Sequence, residues 1–168
     1  MTSIPVIGQS LNDNPNEPAI ISDLICRKGE NSVLNKKMRN LQLKGMLQEN
    51  LYFDNDGLYN EFGDLRTVFS EKIISDVFNK NQVNLFFYQL DEDSIWRKSP
   101  IKNLQLFEGS EEKVLSISKP VFSKRKDYSL IYYEIEYRNF LIFKRGVLLY
   151  KKSNGNWQLV KEFWNGFL

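Results

Sequence analysis

Three aromatic-rich segments at the C-terminal end of the chain constrain its fold more than any other feature. They cover residues 128–137, 140–151 and 157–164 and are dense in aromatic and β-branched residues, which favour strands. Asn154-Gly155 lies between the last two segments and is a strong signal for a two-residue hairpin turn. With a second tight turn at Arg138-Asn139, the segments predict an antiparallel meander.

These two turns also predict a register, and the register assigns each side chain to one face of the sheet. The expected pairs are Tyr150 with Leu159, Leu148 with Lys161, Arg145 with Trp164, Ile135 with Ile142, Glu134 with Phe143, and Tyr132 with Arg145. One face is then apolar and carries Ile131, Tyr133, Ile135, Tyr137, Phe140, Ile142, Leu148, Tyr150, Trp157, Leu159 and Phe163. The other is mixed and carries Tyr132, Glu134, Glu136, Leu141, Phe143, Arg145, Val147, Leu149, Val160, Glu162 and Trp164.

Helical spacing of apolar residues occurs in the N-terminal half. It predicts helices over 17–27, 33–51 and 71–82, the last with Ser70 as its N-cap. The run 85–88 fits either an extension of the third helix or a strand, and 104–107 and 114–118 read as short strands. Proline and glycine interrupt residues 1–18, which we expect to form a flexible arm.

The expected fold is therefore a single α+β domain over residues 19–168. Its N-terminal helices pack on the apolar face of a C-terminal antiparallel sheet, with a cone-like curvature as a further expectation.

Composition removes much of common enzyme chemistry. The 168 residues include no histidine and one cysteine, Cys26. Ser-His-Asp and Cys-His catalytic arrangements, imidazole zinc ligands and an internal disulfide are thereby excluded. No Gly-rich phosphate loop and no nucleophile elbow occurs either. We expect no catalytic residue, no cofactor and no metal.

Targeting signals are also missing from the sequence. Residues 1–10 carry no charged side chain and are interrupted by Pro5 and Gly8, unlike a signal peptide. No apolar run approaches the eighteen residues typical of a transmembrane helix. The expectation is a cytoplasmic protein without a membrane span, or a periplasmic or lipoprotein-type protein if a native leader was removed.

The mixed face supplies the candidate binding residues. Glu134, Arg145 and Glu162 would lie within about 10 Å of one another, flanked by Tyr132 and Trp164. Carboxylates, a guanidinium group and aromatic walls could orient a polar ligand or a partner. The simpler explanation, and the favoured one, is a set of cross-strand ion pairs that contribute roughly 0.2–1 kcal/mol each.

Basic residues are concentrated between Lys119 and Lys152. Nine basic side chains, namely Lys119, Lys124, Arg125, Lys126, Arg138, Lys144, Arg145, Lys151 and Lys152, occur there with three acidic ones, Asp127, Glu134 and Glu136. Such a cluster could attract phosphate or an acidic partner. Lysines at strand ends also keep sheet edges soluble, and this explanation is favoured over nucleic-acid binding.

Two resemblances extend these inferences. Residues 116–122, 128–132, 148–152 and 154–160 resemble small uncharacterised proteins of Bacteroidota. Those proteins often carry a lipoprotein leader and bring no activity with them. Gly155-Asn156-Trp157 is similar to the last hairpin of the nuclear-transport-factor-like cone fold. That likeness implies a curved sheet around a pocket, but the His and Asp acid/base pair of many catalytic members has no counterpart here.

The function expected from the sequence is a non-enzymatic protein-binding module, such as an immunity-type inhibitor of a bacterial toxin. The alternative is a small-ligand-binding or catalytic protein of the cone fold, with Tyr132, Glu134, Arg145 and Glu162 lining the cavity. Another protein is thus the favoured partner, and a small molecule is the alternative.

Overall fold

The structure is a computed structural model that describes residues 16–29, 32–50, 52–53, 58–60, 63–64, 69–90, 95, 105–106, 112–137 and 142–167. Its helices are α1 (Glu17–Lys28), α2 (Asn40–Asn50), α3 (Glu71–Val77) and α4 (Lys80–Gln89). Its strands are β1 (Val33–Leu34), β2 (Tyr52–Phe53), β3 (Leu58–Asn60), β4 (Gly63–Asp64), β5 (Lys113–Ile117), β6 (Val121–Phe122), β7 (Tyr128–Tyr137), β8 (Ile142–Ser153) and β9 (Asn156–Phe167). Helix α1 begins inside the segment expected to be an arm, and residues 1–15 lie outside the described ranges.

The main sheet has six strands in the order β1-β5-β7-β8-β9, with β6 also paired to β7. The β1–β5 pair is parallel and the other pairs are antiparallel. Strands β2, β3 and β4 form a second, small antiparallel sheet. The α+β class and the C-terminal meander expected from the sequence are confirmed.

The last hairpin turns where the sequence predicts. Asn154 and Gly155 have φ angles of 50° and 81°, the left-handed conformation that both central residues of a type I′ turn require. Ser153 pairs with Asn156 and Tyr150 with Leu159, as expected. Further along the strands this register changes.

Two β-bulges in β9 overturn the rest of the predicted β8–β9 register. Leu149 pairs with Lys161, so Val160 is an extra residue, and Leu148 faces Glu162 instead of Lys161. A second irregularity, between Arg145 and Val147, places Arg145 opposite Gly166 rather than Trp164. Each extra residue reverses which side of the sheet the following side chains occupy.

The β7–β8 register was also wrong, but with a smaller effect. Ile135 pairs with Lys144, Glu134 with Arg145 and Tyr132 with Val147. Each partner lies two residues beyond the predicted one, because pairing ends at Tyr137–Ile142 and residues 138–141 lie between. A shift of two residues keeps every side chain on its predicted face.

Both faces of the sheet are covered by helices. Helix α1 packs on one face against a buried cluster that includes Leu34, Leu115, Ile117, Ile131, Tyr133, Ile135, Leu148 and Tyr150. Helices α2, α3 and α4 cover the opposite face, where Tyr128, Leu130, Tyr132, Val147, Leu149 and Phe163 are buried. The expectation that all helices lie on one face is wrong, because the mixed face is apolar over most of its length.

Phe163 shows how the bulges redistribute the core. The predicted register placed Phe163 on the face with Ile131, whereas it packs on the α2–α4 face. Its ring lies edge-on to Phe69 and Phe78, with ring-centre distances of 5.4 and 5.9 Å. The aromatic side chain therefore fills the core beneath α3.

Two of the three predicted helices need correction. In the segment 33–51, Val33 and Leu34 instead form β1 alongside β5, and the helix begins only at Asn40. The segment 71–82 breaks after Val77, because the Asn79 side chain accepts a hydrogen bond from the Gln82 N–H and caps a new helix. Helix α4 then includes the ambiguous run 85–88. Helix α1 and the Ser70 cap of α3 are confirmed.

A glutamine side chain joins α4 to the sheet. The Gln89 amide nitrogen donates to the Phe122 carbonyl oxygen at 2.9 Å, and its oxygen accepts from the Phe122 N–H at 2.9 Å. The Gln82 side-chain oxygen accepts from the Lys124 N–H at 3.0 Å. Helix α4 is therefore fixed beside β6 at two points seven residues apart.

Substitution of two glycines tests the turn. Gly155→Ala should lower the free energy of unfolding by about 1–2 kcal/mol, because a side chain disfavours its positive φ. Gly45→Ala is the matched control, because a Cβ there meets no atom within 4 Å. Helix propensity predicts that this control raises stability by about 0.5–1 kcal/mol. Urea unfolding measures both changes, and a neutral Gly155→Ala would contradict the turn.

Candidate functional site

The structure brings together three of the five residues selected from the sequence. Tyr132, Glu134 and Arg145 share the α2–α4 face of the sheet, and Glu134 and Arg145 are direct cross-strand neighbours. Glu162 lies on the other face, opposite Leu148 and hydrogen-bonded to Tyr133. Trp164 belongs to β9, but its side chain lies outside the described part of the chain.

The first bulge in β9 explains why Glu162 was misplaced. A regular hairpin would put Glu162 on the face of Tyr132, but the extra residue Val160 moves it to the face of Tyr133. The prediction of one surface containing Glu134, Arg145 and Glu162 is therefore wrong. Bulge positions are not encoded by an obvious residue pattern, so sequence periodicity could not reveal this change.

Arg39 joins the remaining three residues, and we call Arg39, Tyr132, Glu134 and Arg145 the arginine cluster. The Tyr132 hydroxyl donates to Glu134 Oε2 at 2.9 Å, and Arg39 Nη2 lies 3.6 Å from Glu134 Oε1. The Arg39 backbone N–H donates to the Ile117 carbonyl oxygen at 2.8 Å, immediately before α2 begins. The cluster thus connects the start of α2 to strands β7 and β8.

Charge is unevenly balanced in the arginine cluster. The cluster contains one carboxylate, Glu134, and two guanidinium groups, and the Arg39 and Glu134 side chains are 24% and 19% exposed. Among the described residues, the buried Arg39 Nε and the buried Gln42 Oε1 have no hydrogen-bond partner. Because the Arg39–Glu134 contact exceeds hydrogen-bond length, the guanidinium of Arg39 retains donors for another acceptor.

The tyrosine of the cluster is suited to hydrogen bonding rather than proton transfer. Burial raises the pKa of Tyr132, and the neighbouring charge and hydrogen bond of Glu134 raise it further. The hydroxyl group therefore remains protonated at neutral pH and serves as a donor that orients the Glu134 carboxylate. This arrangement favours recognition over acid/base catalysis.

Exposed apolar side chains flank the segment that carries Arg39. Leu41 in the first turn of α2 is 48% exposed, and Ile95, which pairs with Lys37, is 68% exposed. No pattern in the sequence indicates that these segments meet, because Lys37 and Ile95 lie far apart along the chain. Exposed apolar residues beside an arginine are typical of protein interfaces.

Glu162 instead joins α1 to the sheet. Lys28 Nζ donates to Glu162 Oε2 at 2.6 Å, and the Tyr133 hydroxyl donates to Oε1. Burial alone would raise the pKa of Glu162, but the hydrogen bonds from Lys28 and Tyr133 lower it below its usual value. Both carboxylate oxygens are therefore engaged by the protein's own donors, which is typical of a structural ion pair.

Gly146 makes room for the tyrosine of this ion pair. Gly146 is the β8 residue directly opposite Tyr133, and a Cβ there would lie 3.0 Å from Tyr133 Cε1. The absence of a side chain lets the ring lie across the strand towards Glu162. Lys28 Nζ also lies 5.1 Å from the centre of the ring.

A second tyrosine also donates to a carboxylate on this face. The Tyr150 hydroxyl donates to Asp23 Oδ2 at 2.8 Å, and Arg27 Nε donates to the same oxygen at 2.6 Å. Burial raises the pKa of Tyr150, and the hydrogen bond to Asp23 adds to the increase. Helix α1 is thus anchored by polar contacts beside its apolar face.

The described ranges contain neither a cluster of metal-ligating side chains nor a helix suited to crossing a membrane. There, no three His, Cys, Asp or Glu side chains are grouped closely enough to hold a metal ion. No helix of those ranges is long and apolar enough to cross a bilayer. Comparison with known proteins finds no matching family, curated protein or solved structure.

The Lys28–Glu162 pair predicts a pH-dependent contribution to stability. Because folding lowers the pKa of Glu162, its contribution exists above the unfolded pKa and is lost as pH falls through the folded pKa. Glu162→Gln should cost about 1–3 kcal/mol at pH 7 and clearly less at pH 3, measured by urea unfolding.

Asp76→Asn provides the matched control. Asp76 lies 3.4 Å from Lys72, whose side chain is 73% exposed. Breaking this exposed pair should cost no more than about 0.5 kcal/mol. A Glu162→Gln cost equal to that of the control, or one independent of pH, would contradict the structural role of Glu162.

Proposed function

We propose that the protein is a non-enzymatic protein-binding module and that the arginine cluster is the centre of its binding surface. The observation that carries this proposal is that Arg39 lies beside Glu134, the cross-strand neighbour of Arg145, and follows Lys37, which pairs with the exposed Ile95, by two residues. Arginine and tyrosine dominate the binding energy of many protein interfaces, especially when apolar contacts surround them. The surface supplies the arginines and the exposed apolar contacts, whereas Tyr132 is buried and acts through its hydrogen bond to Glu134.

The chemistry of the cluster indicates what the partner presents. Arg39 lies beside the one carboxylate of the cluster and Arg145 is its cross-strand neighbour, so an acidic side chain of the partner can form hydrogen bonds with Arg39 or Arg145. Glu134, fixed by Tyr132, limits which partners fit, because a second acidic group placed beside it would be repelled. An immunity-type inhibitor of a bacterial toxin is the specific form of this proposal.

A small polar ligand remains the second candidate, as in the nuclear-transport-factor-like cone fold. The buried Arg39 Nε and the buried Gln42 Oε1 favour it, because each lacks a hydrogen-bond partner that a polar ligand could supply. The packing argues against a deep pocket, because the helices on this face cover Tyr132, Val147 and Leu149. The Arg39 side chain is 24% exposed, so an acidic side chain of a partner can approach its guanidinium group from the surface.

Capture experiments test the protein-binding proposal. Tagged wild-type protein should retain a specific protein from native lysate at micromolar concentration. The double variant Arg145→Gln/Ile95→Ser should weaken the affinity for that purified protein by about 30-fold or more, measured by calorimetry. The matched control Lys161→Gln/Val160→Ser removes one exposed charge and one exposed apolar residue from β9.

The proposal fails if no protein is retained or if both double variants weaken binding equally. The immunity form makes a further prediction: co-expression with the captured partner should restore growth that the partner alone inhibits. Retention of a small polar metabolite that Arg39→Gln abolishes, without any protein, would instead support the second candidate.

A further inference from the structure

A second charged surface lies at the opposite end of the β7–β8 strand pair from the arginine cluster. Strand β7 begins at Tyr128, which pairs with Lys151, and the turn before it carries Lys124, Arg125 and Lys126. Gln82 in the first turn of α4 binds the Lys124 N–H, and the exposed Lys80 begins the same helix two residues earlier. We call the five cations Lys80, Lys124, Arg125, Lys126 and Lys151 the basic end.

The turn that carries three of these cations has a fixed shape. The Ser123 hydroxyl donates to Asp127 Oδ1 at 2.7 Å and accepts from the Tyr128 N–H at 3.1 Å. The Lys126 N–H donates to the Ser123 carbonyl oxygen at 2.8 Å, and Lys126 adopts a φ of 56°. The exposed side chains of Lys124, Arg125 and Lys126 thus project from an ordered backbone, which lowers the entropy cost of binding.

The one acid in this turn, Asp127, keeps its charge, but its Oδ1 accepts the Ser123 hydroxyl and it forms no ion pair with these cations in the described ranges, so three cations face one carboxylate. Five described cations elsewhere do pair with acids: Arg27 with Asp23, Lys28 with Glu162, Arg39 with Glu134, Lys72 with Asp76, and Lys119 with Glu17. Within the described ranges, none of the five cations of the basic end has an acidic partner. Solubility alone does not require five such charges to converge on one end of a sheet.

Helix α4 extends the surface with polar and aromatic groups. Asn81, Asn84 and Tyr88 follow Lys80 along one exposed side of the helix, and Tyr88 is 78% exposed. Amides and tyrosine hydroxyls bind phosphate oxygens, and an exposed ring offers a platform on which a base can stack. Gln82 and Gln89 hold this helix beside the basic turn.

We propose that the basic end and the exposed side of α4 bind single-stranded nucleic acid through its phosphodiester backbone. This goes beyond the proposed protein-binding function and uses a different surface. An acidic protein is the weaker candidate, because Tyr88 is the one large apolar side chain exposed among the described residues of this surface. A protein interface needs an apolar centre, whereas a phosphate backbone needs distributed cations.

The expected binding is strongly salt-dependent. Four or five phosphate contacts give a slope of about −3 for the logarithm of the binding constant against the logarithm of salt concentration. Fluorescence anisotropy with labelled single-stranded DNA and RNA oligonucleotides of one sequence, from 50 to 200 mM salt, measures this slope. DNA and RNA share the phosphodiester backbone and differ in the sugar. Binding of either oligonucleotide supports the proposal.

Matched variants test the assignment to this surface. Lys124→Gln/Arg125→Gln should weaken binding by about tenfold at 50 mM salt and reduce the slope by about 1.4. Tyr88→Ala should weaken binding without changing the slope, because it removes stacking but no charge. Lys72→Gln/Lys161→Gln removes the same charge elsewhere and should leave binding within twofold of wild type.

Several outcomes would overturn the proposal. Absence of oligonucleotide binding at 50 mM salt would do so, as would an equal loss in the Lys72/Lys161 control. Equal affinity for polyglutamate, or for vesicles containing anionic lipid, would show attraction to any polyanion. The Arg145→Gln/Ile95→Ser variant should keep its oligonucleotide binding, so failure of the protein-binding proposal is distinguishable from failure of this one.

Discussion

Strand β7 is apolar on both sides, and the rest of the architecture follows from the need to cover both. Ile131, Tyr133 and Ile135 face one way, while Leu130 and Tyr132 face the other, and all five are buried. A sheet with one solvent-exposed face would leave apolar side chains of β7 in contact with water. Helix α1 therefore covers one face and helices α2 to α4 cover the other, and polar contacts collect where apolar coverage ends, at Glu134 and Glu162.

Local signals in the sequence predicted local structure well. Asn154-Gly155 predicted the last hairpin, because few other pairs adopt positive φ at both positions. Ser70 predicted the start of α3 through its side-chain oxygen. Val33 and Leu34 were misassigned to a helix because their environment is set by β5, which lies far away in the sequence. The periodicity of apolar residues does not reveal strand pairing between segments so far apart in the sequence.

The candidate site shows the same division between local and distant information. Glu134 and Arg145 were correctly assigned to one face, because an error of two residues in register preserves the alternation of side chains. Glu162 was assigned to the wrong face, because one extra residue, Val160, reverses it. Arg39 was missed altogether: it meets Glu134 only because α2 packs across β7, and that packing depends on the whole fold.

Gln89 gives the short strand β6 a substitute neighbour. Its amide offers Phe122 one donor and one acceptor, the same pair that the backbone of an adjacent strand would supply. The Gln89 side chain thus occupies the backbone groups of Phe122 that a further strand would bind, and the sheet ends at β6. The outer edge of β6 therefore cannot form backbone hydrogen bonds with an extended segment of another molecule at Phe122. This protects the edge against the edge-to-edge polymerisation to which unprotected strands are prone.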